Sequence, residues 1–141
     1  MSLREARFTF WIHASPARVW KALTRAKELK RWYTDPHRVE LRKGGRWEFL
    51  GGKLGGKVLE VVPRQKLVQT YRLIPGEPET RVTYEIAERK DRTELTLVHD
   101  RFGSAKETYR CATEPAVWPW ILSNLKTYVE TGTPMREGAF R

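Results

Sequence analysis

His99 is the residue of this chain best placed by type and position to do chemistry. It ends the alternating segment Thr93–His99, where Leu95, Leu97 and His99 fall on one face. A histidine on an apolar face can move a proton, orient the polar end of a ligand, or stay neutral while bonded to a hydroxyl or carbonyl. His13 and His37 are far from it in sequence, and no H-x-H or H-E-x-x-H spacing occurs, so no metal site is expected. Ser15 lies outside any G-x-S-x-G elbow and precedes Pro16, which reads as a helix cap. Cys111 has a basic neighbour, Arg110, but no nearby histidine. As the lone cysteine it excludes an internal disulfide. Glu48 and Glu60 lie on separate strand segments, and their spacing does not say whether they meet. No catalytic residue is assigned, and no cofactor is expected.

Gly51-Gly52-Lys53-Leu54-Gly55-Gly56-Lys57 matches the first part of a phosphate-binding loop. Val58 stands where the magnesium-binding hydroxyl belongs, and Val58–Val62 continues as a strand rather than a helix. Its amides are therefore expected to pair with a neighbouring strand. The aromatic set Trp20, Trp32, Tyr33, Trp47, Trp118 and Trp120 fits either a packed core or the lining of an apolar pocket.

The elements that must position these residues follow from periodicity. Glu5–Ile12 alternates, with Phe8, Phe10 and Ile12 on one face. Ser15-Pro16 opens a helix with Val19, Trp20 and Leu23 on its inner stripe, and a second short helix covers about Ala26–Trp32. Six strands follow: His37–Arg42, Arg46–Leu50, Gly55–Val62, Lys66–Leu73, Arg81–Ala87 and Thr93–His99. The links between them are short and rich in Gly, Pro and Asp, which favours an antiparallel meander. Ser104–Thr113 fits a helical turn or two or a mobile loop. The last element is a long amphipathic helix, Ala116–Thr131, carrying Val117, Trp118, Ile121, Leu122, Leu125, Tyr128 and Val129 on one stripe. Gly132 and Pro134 stop it. Such a stripe needs a partner, and the only large one is the sheet. The fold class is α+β, in one domain spanning 1–141.

Apolar residues make up 40% and charged residues 31% of the 141, the composition of a globular domain. No apolar run reaches the roughly 20 residues of a membrane span. The N-terminal residues enter a strand pattern without a hydrophobic signal region, so the cytoplasm is expected. Net charge is +10, concentrated between Arg18 and Arg46, where ten basic residues meet three acidic ones. That surface suits an acidic protein, an anionic ligand or nucleic acid, but no nucleic-acid recognition motif accompanies it.

Several pieces taken in order resemble a known family. They are Ala14-Ser15-Pro16-Ala17-Arg18-Val19-Trp20, Leu29-Lys30-Arg31-Trp32-Tyr33 before Pro36, Gly44-Gly45-Arg46-Trp47, Gly56–Pro63, Lys66–Tyr71, Thr93–His99 before Gly103, and Trp118 through Gly132. Together they are similar to the START-like, or SRPBCC, superfamily, in the branch of activators of heat-shock protein 90 ATPase. The resemblance implies a helix-grip fold: a seven-stranded antiparallel sheet wrapped around the C-terminal helix, with two short helices after the first strand. It also implies a cavity between sheet and helix in many relatives, which bind lipids, sterols or polyketides; some are cyclases, and others stimulate a chaperone ATPase. Val117 and Pro119 depart from the usual pattern at the start of the last helix.

On this basis the expected function is non-enzymatic binding of a small apolar or amphipathic molecule. The expected wall is Phe8, Phe10, Trp32, Trp47, Phe49, Tyr71, Tyr84, Leu97, His99, Trp118, Leu122 and Leu125, with His99 and Tyr71 orienting a polar end. The alternatives are a protein-interaction module docking an acidic partner through Arg18–Arg46, and a cyclase or hydrolase using His99. Oligomeric state is not specified by the sequence.

Overall fold

The computed structural model describes residues 4–139. Strand β1 (Ala6–Ile12) leads into helices α1 (Pro16–Thr24) and α2 (Ala26–Trp32). Strands β2 (Pro36–Val39), β3 (Arg46–Phe49), β4 (Leu54–Val62), β5 (Lys66–Tyr71), β6 (Thr80–Glu88) and β7 (Thr93–Asp100) follow. Helices α3 (Lys106–Ala112) and α4 (Trp118–Thr131) complete the chain. The sheet has seven strands in the order β1-β7-β6-β5-β4-β3-β2, antiparallel at each pairing. β1 and β2 lie at opposite edges, so the chain must cross the whole sheet between them. The α1–α2 pair makes that crossing.

Local chemistry sets the ends of these helices. Ser15 Oγ accepts from the Arg18 amide at 3.1 Å, and Pro16 occupies the first turn, where its missing N–H costs nothing. Arg25 is extended and separates α1 from α2. Trp32 Nε1 then donates to Ala22 O at 2.9 Å, filling a carbonyl left over at the end of α1. Trp20, expected on the inner stripe of α1, is only half-buried; Val19, Ala22 and Leu23 carry the burial.

The sheet curls because its strands are interrupted where they bend. The β4–β5 register shifts between Val58 and Glu60, and β2–β3 shifts between Pro36 and Arg38. Gly56 packs directly on the Thr70 carbonyl, and any Cβ there would overlap it. β2 ends at Val39 rather than Arg42. The Glu40 carboxylate accepts from the Arg46 amide at 2.9 Å and turns the chain early. β5 ends at Tyr71 rather than Leu73, with a single further bridge between Gly55 and Arg72.

Helix α4 buries Trp118, Ile121, Leu122, Asn124, Leu125, Tyr128 and Val129 against the sheet and the α1–α2 pair. It begins at Trp118, two residues later than its periodicity predicts, because Val117 has a non-helical backbone (φ −106°, ψ −95°). Pro119 therefore sits in the first turn, where its lack of an N–H costs no helical bond. Gly132, at φ 87°, closes the other end in the left-handed conformation, its amide bonding Tyr128 O. This is a helix-grip arrangement. Among the described residues, no helix is long and apolar enough to cross a membrane.

Candidate ligand cavity

A mainly apolar hollow of about 320 Å³ lies between the sheet and the N-terminal end of α4. Tyr71 and Leu73 line it from the end of β5, and His99 from β7. Ala112 closes it from α3, while Val117, Trp118 and Ile121 contribute from the start of α4. Leu50 and Lys53, from a 3₁₀ turn (Leu50–Gly52) and its end, and Leu54, which opens β4, form the remaining side. Leu50 and Lys53 are exposed, so this side is the mouth. Leu50 has φ 54°, an unusual value for a branched residue that lets Gly51 and Gly52 follow it in a tight loop.

The polar groups at the inner end are bonded to one another. The Trp118 indole, a donor only, gives its N–H to His99 Nδ1 at 3.1 Å. His99 therefore carries its proton on Nε2 and donates it to Thr80 Oγ1 at 2.7 Å. Thr80 passes its own proton to Tyr71 O at 3.0 Å. Every donor in the chain is used, and both His99 nitrogens are occupied. The ring is 1% exposed and packs on Phe102 at 4.6 Å and Tyr71 at 5.3 Å. Burial pushes its pKa down to about 4, with only weak opposition from Asp100. A proton on Nδ1 would face the indole donor to donor, which opposes charging further. Asp100 itself points away and takes a bidentate bond from Arg81 at 3.0 and 2.7 Å.

A second hollow of about 30 Å³ lies among Tyr33, Trp47, Phe49, Tyr71 and Tyr84 and reaches Glu40 and Leu41. Tyr33 and Tyr71 bond through their hydroxyls. Burial pushes all three phenols upward, so they remain protonated.

The structure thus divides the expected wall. Tyr71, His99 and Trp118 meet at the larger cavity; Trp47, Phe49, Tyr84 and again Tyr71 surround the small one. Trp32, Leu97, Leu122 and Leu125 are in the packed core and line neither hollow, and Phe8 and Phe10 are partly buried against that core. The tryptophans act mainly as bonded core residues: Trp47 donates to Thr70 O at 2.9 Å and Trp120 to Ala139 O at 3.2 Å. Leu50, Lys53, Leu54, Leu73, Ala112, Val117 and Ile121 were not singled out as wall residues by sequence. Only Val117 and Ile121 carried a signal, their places on the α4 stripe. Leu50 and Lys53 sit in a segment whose glycines read as a turn.

Helix α3 covers one side and is held from a distance. Glu77, in the β5–β6 loop, accepts from the Thr108 amide at 2.8 Å and hydroxyl at 2.6 Å, and from the Glu107 amide at 3.2 Å. Those bonds, the Thr108 hydroxyl's foremost, hold its carboxyl below the usual range. The basic stretch is largely spent internally. Arg18 and Lys21 meet the nearly buried Glu28. Arg31 pairs with Glu137, Arg38 and Arg42 with Glu40, and Arg46 with Glu48.

Comparison with known proteins places this geometry. Residues 13–130 match the family described as activator of Hsp90 ATPase homolog 1-like protein. The chain belongs to that family. No curated protein matches it in sequence. Among solved structures it is similar to protein CV1439 from Chromobacterium violaceum, with 24% identity and a TM-score of 0.74 over 92% of this chain and 99% of that one. The Aha1 dimer from Colwellia psychrerythraea has 23% identity and a TM-score of 0.75 over 91% and 97%. DynU16, a protein of the dynemicin biosynthetic locus, has 22% identity and a TM-score of 0.78 over 96% of this chain and 50% of its own. Identities at this level establish the shared fold alone.

Proposed function

We propose that the protein binds a small, mainly apolar molecule in the cavity between β5, β7 and the start of α4. The observation that carries this reading is an apolar volume of about 320 Å³ whose inner polar groups are already bonded to each other. That volume is within the range of small-molecule pockets. Burying an apolar ligand there gains about 25 cal/mol per Å² without stranding a polar group. The same bonds weigh against a cyclase or hydrolase, because neither His99 nitrogen is free to take a proton from a substrate. The test is native mass spectrometry and thermal unfolding after incubation with a lipid and aromatic extract of the host. A retained small molecule and a raised melting temperature are expected in the wild type, and both are lost in Leu73→Trp, which fills the cavity. No retained mass and no shift would refute the reading.

A second reading, docking on an acidic protein, is favoured by Arg25, Lys27 and Lys43, which make no ion pair among the described residues. The family's description as a chaperone ATPase activator supports the same partner class. Capture of an acidic protein at low salt, and its release at high salt, is the expected result; capture insensitive to salt would remove the basic face from the interaction.

A further inference from the structure

We infer that the molecule taken up by the cavity is an amphipathic carboxylate, with its apolar body inside and its anionic end at Lys53. This inference rests on the apolar-binder reading above and names its ligand class. A ligand needs a polar or charged wall group to fix its orientation, and the inner wall offers no charged one. The His99 nitrogens are taken by Trp118 and Thr80, the Trp118 N–H by His99, and the Tyr71 hydroxyl bonds that of Tyr33. Among the described residues, Lys53 is the one charged residue that lines the cavity. It is exposed and makes no ion pair or side-chain hydrogen bond among the described residues. No Asp or Glu among the described residues lines the cavity to compensate it. The wall therefore presents an apolar pocket with a single uncompensated cation at its mouth. One ammonium without a guanidinium fork matches a single negative charge better than a dianion. A cationic head would be repelled there, and a neutral one would gain no charge pair.

The experiment measures dissociation constants of decanoate and of decanol, its neutral counterpart, for the intact protein at low ionic strength. Wild type should bind decanoate about fivefold more tightly than decanol, the ratio expected of one partly exposed charge pair. Lys53→Met should lose that preference while keeping decanol affinity, and Lys53→Glu should reverse it. Leu73→Trp should lose both probes. Lys53 is exposed, so its variants are expected to fold as wild type does. Equal binding of both probes by wild type, or a preference retained in Lys53→Met, would overturn the carboxylate assignment and leave the apolar cavity standing. Absence of binding by either probe, or unchanged binding in Leu73→Trp, would overturn the cavity reading itself.

Discussion

His99 joins two strands and a helix through one proton arrangement. Trp118 on α4 donates to one nitrogen, and the other donates to Thr80 on β6. Only the neutral ring fits both contacts. The ring takes up its proton near pH 6.5 when unfolded and near 4 when folded. Between those values the unfolded chain binds more protons. Stability is therefore full above pH 6.5 and falls as the pH drops toward 4, by on the order of 3 kcal/mol. Urea unfolding across this window should show that loss in wild type and a flattened slope in His99→Gln, which cannot charge. Equal slopes in the two proteins would remove His99 as the cause. The sequence put His99 on the inner face of β7 by simple alternation. It could not name Trp118 or Thr80 as partners, because each lies 19 residues away on another element.

Asn124 shows how elements are tied to one another rather than merely packed. It is fully buried on α4, and its amide nitrogen donates to Trp32 O at the end of α2 and to Arg136 O in the C-terminal segment, both at 2.9 Å. Its oxygen accepts from the Arg136 amide at 3.1 Å. Three elements thus close one end of the grip through one side chain. Asn124→Ala would leave two carbonyls and an amide short of partners, and a loss of about 2–3 kcal/mol in chemical denaturation is expected. Asn124→Leu should be no milder if hydrogen bonding rather than volume is at stake. In sequence Asn124 falls among the apolar residues of α4, where the stripe of Ile121, Leu122, Leu125 and Tyr128 is legible and a polar member reads as an interruption. The start of α4 was obscured in the same way. A proline near a helix start fits the first turn as well as a break, and the Val117 backbone decides for the first turn.

For the molecule as a whole, a net charge of +10 suggests a uniformly basic field, yet much of it is consumed locally. Glu28 draws Arg18 and Lys21 inward and bonds Tyr128 at 3.0 Å, linking α1, α2 and α4. Glu40 and Glu48 quiet the β2–β3 side. The cations left for a partner are fewer than the sequence count implies, so any captured acidic protein should dissociate over a modest rise in salt. The cavity, by contrast, presents one uncompensated charge. The exposed surface and the cavity mouth are therefore electrostatically different sites, and salt should weaken decanoate binding while leaving decanol binding unchanged.

Periodicity and turn chemistry in the sequence alone determined the seven strands, the two short helices after the first and the amphipathic C-terminal helix. These depend on spacings of two and 3.6 residues and on local caps such as Ser15 and Gly132, all of which act between near neighbours in the chain. The ordered set of family motifs was legible for the same reason. The tertiary structure alone decided which aromatic residues fill the core and which bound a hollow. It also fixed the proton position on His99 and brought Lys53 beside Tyr71 and Trp118. A cavity is the space left among residues distant in sequence, and it depends on how the sheet curls at Gly56 and the β4 bulge. No spacing along the chain records that volume.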